Sequence, residues 1–189
     1  MKKASGIFQY YVEGDDEKRL IEVLKTDMRL IIPGKVQILN VVQERLTDLK
    51  LRTLQDGTIL VFVFDTDVGD PTILNENIRK AKKSSNIKDV YCVPQVKNIE
   101  DELIRAMGLK NIEELLNSKS KKDFKRDMLR ERNLKSKFES HHFDIQKLWA
   151  MNPATPFDKI TKELSFIYFQ FLNLELCNSN SEDLHLFRG

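Results

Sequence analysis

Ile59-Leu60-Val61-Phe62-Val63-Phe64, running directly into Asp65-Thr66-Asp67, is the most hydrophobic run in the chain. Apolar residues without alternation suit a strand whose sheet is covered on both faces, and such strands belong to parallel sheets flanked by helices. The segments on either side agree. Upstream, Ile7–Val12 (IFQYYV) is aromatic and β-branched and stops at Glu13-Gly14. Asp15 and Asp16 then offer a cap and first-turn negative charge, and Leu20, Ile21, Val23 and Leu24 follow at helical spacing, so a helix is predicted from about Asp16. Leu30–Ile32 reads as a short strand broken by Pro33-Gly34. Val36–Val42 reads as a strand entering a helix whose face continues through Leu46 and Leu49, and Gln55-Asp56-Gly57 as a turn. Downstream, a helix is predicted from about Thr72 to Lys83 and a fourth strand over Val90–Val93. Strands alternating with helices in this order predict an α/β fold with a mostly parallel four-stranded sheet and helices on both faces.

Beyond Ile99 the character changes. Glu100–Met107, Ile112–Leu116, Lys121–Phe138 and Lys159–Leu174 read as helices, and no clear strand remains. The division expected is an α/β unit over residues 1–98 and a helical C-terminal extension over 99–189, with a basic segment at 118–137. Trp149 and Phe157 flank a proline-containing loop, Pro153–Pro156, and read as packing anchors for the last helix. The stripe of Phe166, Phe169 and Leu172, with Ile167 and Phe171, reads as core or a partner-docking face.

The 189 residues are 41% apolar and 32% charged, enough to bury a core and too apolar for intrinsic disorder. No apolar run approaches the ~20 residues that cross a bilayer, and the start lacks a basic-then-apolar signal, so no membrane role is expected. Cys92 and Cys177 stand far apart without a CxxC, which argues against a disulfide framework or a zinc site and favours a cytoplasmic setting. The net charge is only +2, yet the stretch from Lys119 to Lys137 holds nine Lys/Arg against three Asp/Glu.

Parallel sheets bind ligands beyond the carboxyl ends of their strands. Two strand ends carry carboxylates there: Glu13 after the first, and Asp65 with Asp67 after the central one. Glu17, four residues after Glu13, could turn to the same edge from the helix, and Asp70 lies in the loop just beyond. Carboxylates gathered this closely raise one another's pKa unless a cation sits between them. Mg²⁺ or Mn²⁺ (one or two ions) is the expected occupant, because hard divalent ions prefer carboxylate oxygen, and such a site supports phosphoryl chemistry. Acids at strand ends also cap helices, a reading that weighs most for Asp15, Asp16 and Asp70.

Val12-Glu13-Gly14-x-x-Glu17 after the first strand, with Phe64-Asp65-Thr66-Asp67 after the third, resembles the TOPRIM domain over roughly residues 5–98. That domain, a Rossmann-like fold, is shared by topoisomerases, bacterial primases, small ribosomal-RNA maturases, recombination proteins and OLD-family nucleases. The second glutamate makes the motif most similar to OLD-type and RloB-like nucleases of bacterial phage defence. The resemblance implies catalytic roles for Glu13, Asp65 and Asp67. It also implies metal ligation by Glu13, Glu17, Asp65 and Asp67, with Asp70 a further contributor. Glu100 could reach the metal edge of such a sheet or simply pair with the dipole of its own helix. Lys97 could face a phosphate or be solvated.

The basic segment places Phe124 and Met128 four apart among its cations. It reads either as a solvated amphipathic helix or as a phosphate-backbone surface using Lys119, Lys121, Lys122, Lys125 and Arg126. His141 and His142 are adjacent, so at most one would face a given site. The sequence shows no GxxxxGK[ST], so an ATP-driven step would need a partner chain. The leading expectation is a metal-dependent nuclease acting on DNA or RNA, the effector of an anti-phage (abortive infection) system with a companion ATPase. A small-maturase-type RNA-processing enzyme and a non-catalytic nucleic-acid or partner-binding subunit are the alternatives.

Overall fold

A computed structural model describes residues 6–67, 69–162 and 164. Four strands form one sheet: β1 (Ile7–Val12), β2 (Gly34–Ile38), β3 (Thr58–Asp65) and β4 (Ile87–Gln95), in the order β2-β1-β3-β4. Every pairing is parallel, so this is an α/β fold with an all-parallel sheet. Six α-helices lie among the described residues: α1 (Asp15–Glu22), α2 (Asp48–Arg52), α3 (Thr72–Lys82), α4 (Ile99–Met107), α5 (Lys121–Arg130) and α6 (Leu134–Ser140). A π-turn over Val23–Asp27 prolongs α1, and a 3₁₀ turn spans Ile112–Leu115.

The alternation of each strand divides its side chains between two cores. Phe8, Tyr10, Val12, Ile59, Val61, Val63, Tyr91 and Val93 pack against α1, α4, α5, α6 and Trp149. Tyr11, Leu60, Phe62, Phe64, Val90 and Cys92 face the opposite way, onto Leu46, Leu51, Leu74, Ala81 and Phe157. Burial of β3 from Thr58 to Phe64 is therefore complete, as expected from its unalternating composition. The helices that follow residue 98 share their core with the sheet: Leu103, Phe124, Met128 and Phe138 are all fully buried in the first cluster. Burying Phe124 and Met128 contributes about 1.5–3 kcal/mol each, which seats α5 firmly against the α1 side of the sheet. Gly34 opens β2 where β1 passes closest, since a Cβ there would stand 2.6 Å from the carbonyl oxygen of Phe8.

Several expected elements are corrected. Leu30–Ile32 forms no strand, and the chain after Ile38 turns rather than becoming a helix, with Leu46 buried while Leu49 is exposed on the short α2. Asn77 explains the turn: its side chain accepts the amide of Leu46 and donates to the carbonyls of Val41 and Glu44, satisfying backbone that a helix would have paired internally. The helix expected over Lys121–Phe138 is two helices. Glu131 is extended, Arg19 Nη2 takes its carbonyl at 2.8 Å, and Asn133 caps the new helix by accepting the amide of Ser136. The helix expected from Lys159 is absent where it can be seen: Lys159 and Ile160 lie in a turn, and Lys162 makes a parallel bridge to Cys92 on the outer edge of β4. Its remaining length, with the stripe of Phe166, Ile167, Phe169, Phe171 and Leu172, lies outside the described residues, as does Cys177.

Candidate metal centre

The strand order defines where a ligand can sit. The chain leaves β1 towards β2 on one side and leaves β3 towards β4 on the other, which opens a crevice between the carboxyl ends of β1 and β3. Tyr11 is in register with Phe62, so Glu13 and the end of β3 emerge at the same rim of this switch point. Glu13 takes hydrogen bonds from the backbone amide of Asp65 and the side chain of Asn40. The Asn40 oxygen is itself committed to the amides of Val42 and Gln43, both at 3.1 Å.

Asp65 ends β3 opposite Gln95, the last residue of β4, and Gln95 Nε2 donates to Asp65 Oδ1 at 2.7 Å. Thr66 clamps the same two strand ends. Its amide and hydroxyl both reach the carbonyl of Gln95, and its hydroxyl accepts the amide of Lys97 at 3.2 Å. The intervening threonine of the Asp65-Thr66-Asp67 motif is thus a fastener between β3 and β4. Gly14 precedes α1 in extended backbone, and a Cβ on it would crowd Glu17 Oε2 at 3.1 Å. Its amide and that of Glu17 hydrogen-bond the Glu17 carboxylate.

The electrostatics tie these groups together. Burial, followed by the charges of Glu17 and Glu13, pushes the Asp65 carboxyl up to about 9 against the pull of Gln95. Burial and then Asp16 push Glu17 up to about 7, with Glu13 adding to the rise. Glu13 is raised by burial and by Asp67, while the Asp65 amide, Lys125 and Asn40 oppose the shift. Glu13, Glu17, Asp65 and Asp67 are therefore brought into mutual repulsion at one rim. Among the described residues, no three Asp, Glu, His or Cys side chains converge into a ready-made metal-ligand group. The donor chemistry, carboxylate oxygen, is of the kind that hard divalent ions prefer.

The other predicted residues take different places. Asp70 is exposed and accepts the amide of Thr72 at the start of α3; the hydrogen bonds from Thr72 hold its carboxyl below the usual range. Glu100 is buried on the first turn of α4, where Lys125 Nζ lies 3.3 Å from its Oε1. The same ammonium lies 3.3 Å from Asp16 Oδ2 on α1. Burial works against the charge on Lys125, but Asp16 and Glu100 outweigh it and hold the ammonium well above the usual lysine range. Lys125 thus faces the acidic rim, unlike its neighbours in the basic segment. Lys119, Lys121 and Lys122 are exposed, and Arg126 pairs with Asp123 at 2.8 Å and Asp127 at 3.1 Å. Lys97 is exposed with φ at 68° and stands 4.0 Å from Asp101. His141 and His142 lie in the turn that ends α6.

Sequence reasoning missed Asn40, Gln95, Thr66 and Asp16 as participants. The strand-end logic that singled out Glu13 would have flagged Asn40 and Gln95 had neutral amides been considered beside acids. No helix among the described residues is long and apolar enough to cross a membrane. Compared with protein-family models, with curated proteins and with solved structures, the chain matches none.

Proposed function

We propose that this chain is a divalent-metal-dependent nuclease that hydrolyses phosphodiester bonds in DNA or RNA, its ion held by Glu13, Glu17, Asp65 and Asp67. One observation carries the reading: carboxylates from separate segments lie within electrostatic reach of one another at the switch point of a parallel sheet, where burial and mutual repulsion raise three of them. Repulsion of that kind is relieved by a bound cation and is otherwise a cost to the fold. When bound, Mg²⁺ or Mn²⁺ would activate a water and stabilise the leaving oxygen. The chain's own part is to hold the carboxylates in place. Gln95 orients Asp65, Asn40 and the Asp65 amide orient Glu13, and the exposed Lys119, Lys121 and Lys122 attract the polyanion alongside. The similarity of the Glu13-Gly14-x-x-Glu17 and Asp65-Thr66-Asp67 motifs to TOPRIM nucleases of phage defence supports an effector role with a companion ATPase.

A second reading, a non-catalytic binding subunit, draws on the lack of a converged ligand group among the described residues and on Lys125 neutralising part of the acidic rim. Purified chain incubated with plasmid and with total RNA, with and without EDTA, separates the two. Cleavage is expected in Mg²⁺ or Mn²⁺ and lost in EDTA. Glu13→Gln and Asp65→Asn are each expected to lower it about a hundredfold, about 2.7 kcal/mol of barrier. Metal binding and cleavage that survive both substitutions would sink the nuclease reading. Unrestrained cleavage by the chain alone would remove the ATPase while leaving the nuclease.

A further inference from the structure

We infer that the acidic rim takes one divalent ion, and that the ammonium of Lys125 stands in the place of a second. This inference rests on the metal reading above. The rim carries six carboxylates, and the structure divides them. Asp16 and Glu100 share a cation from their own chain, each 3.3 Å from Lys125 Nζ. Among the described residues, no ion pair reaches Glu13, Glu17, Asp65 or Asp67. The quartet is thus the part of the rim without an ion pair of its own, and the charge of Lys125 reaches it only through space, at Glu13.

Two features make Lys125 a fixed occupant rather than a passing surface contact. Its helix is anchored by Phe124, the residue just before it, and by Met128, nearly one turn after it, both fully buried, and is capped by Ser120, which accepts the amide of Asp123 at 3.1 Å. Its Glu100 partner has a side chain only 4% exposed, which shelters the carboxylate end of the pair, while the ammonium end is half-exposed. A divalent ion seated between Asp16 and Glu100 would have to expel an ammonium that the fold delivers there.

An independent sign of a missing ligand lies on the quartet side. Gln95 is 0% exposed and its Nε2 is committed to Asp65, yet its Oε1 has no hydrogen-bond partner. An orphaned buried acceptor calls for a donor. Hydrated divalent ions keep part of their water shell, and a water carried in with the ion supplies that donor.

The test is metal stoichiometry in the absence of nucleic acid, by titrating the purified full chain with Mn²⁺ and following the free ion by electron paramagnetic resonance. Wild type is expected to bind one ion. Lys125→Met is expected to bind two, the second between Asp16 and Glu100, and Lys125→Met combined with Asp16→Asn to return to one. Lys125 is half-exposed, so the substitution is compatible with folding; matching circular dichroism melts check this, and Lys125→Gln provides a polar replacement read in the same way. Two ions in wild type, or a single ion in both Lys125 variants, would overturn the inference while leaving the metal site standing. No ion in wild type would overturn both.

Discussion

Gln95 donates through Nε2 to Oδ1 of Asp65 at 2.7 Å, across the last in-register pair of β3 and β4. This bond favours the ionised carboxylate, whereas burial and the neighbouring acids favour the protonated one, and the latter prevail. Asp65 therefore holds a proton at neutral pH, which the ion proposed above would displace on binding.

The exchange has a definite sign. Asp65 is raised from 3.8 to about 9, so between those limits the folded chain holds a proton that the unfolded chain has lost. The resulting stability is fully present below the unfolded value and disappears as pH rises through the folded one. Thermal melts in EDTA should show Tm falling between about pH 5 and pH 9, by on the order of 10 °C in a domain of this size. Asp65→Asn should flatten that slope, leaving a shallower fall that ends near pH 7, where Glu17 titrates. Saturating Mg²⁺ should flatten it in wild type with release of protons. A wild-type slope unchanged by Asp65→Asn would show that the carboxyl is ionised throughout.

The exposed end of α5 makes a separate prediction about substrate. Lys121 and Lys122 are exposed at its first turn, whereas Lys125 is committed to the acidic rim and Arg126 to Asp123 and Asp127. Replacing Lys121 and Lys122 by alanine should weaken binding to single-stranded DNA and RNA alike, measured by fluorescence anisotropy in EDTA. If each meets one phosphate, the slope of log K against log salt should fall by about 1.4 on single strands. Lys125→Met should leave that slope nearly unchanged. The reverse pattern would mean that Lys125 abandons Asp16 and Glu100 for the polyanion.

What could be read from the residues, and what could not, follows from the range of the interactions. The unalternating Ile59–Phe64 run implied a strand covered on both faces because burial acts on every residue of it, and the structure buries it completely. Acids at the ends of β1 and β3 were legible because a parallel sheet turns consecutive strand ends to one rim. Lys125 was not legible: within its segment it is one cation among nine, and its partners lie more than twenty residues away in one case and more than a hundred in the other. The break between α5 and α6 was hidden for a similar reason, since helical periodicity continues through it and the carbonyl freed at Glu131 is taken by Arg19 from α1. The turn at Asn40–Leu46 depends on Asn77, which lies 31 residues beyond Leu46 and 36 beyond Val41.

The last prediction concerns Glu102, which is fully buried yet stands apart from the candidate metal ligands. Its Oε1 accepts the amide of Val96 at 2.7 Å and pairs with Arg105 at 2.6 Å, and its Oε2 accepts the amide of Trp149 at 2.7 Å. One carboxylate therefore ties the loop after β4 to the segment that follows α6. Trp149 holds φ at 57°, a conformation that costs a bulky residue about 1–3 kcal/mol and persists only where its surroundings impose it. Lys162 supports the same segment by donating to the carbonyls of Trp149, Ala150 and Met151. Glu102→Ala leaves two amides without their acceptor and Arg105 with only the Val96 carbonyl, and should cost about 3–5 kcal/mol, as the removal of one partner from a buried ion pair does. Glu102→Gln keeps one acceptor oxygen but turns an NH₂ towards a donor, so it should cost less without being neutral. Urea denaturation followed by Trp149 fluorescence should give both midpoints, with the slope unchanged if the transition stays two-state. A Glu102→Ala midpoint equal to that of wild type would mean that the Trp149 segment is held by its apolar packing alone.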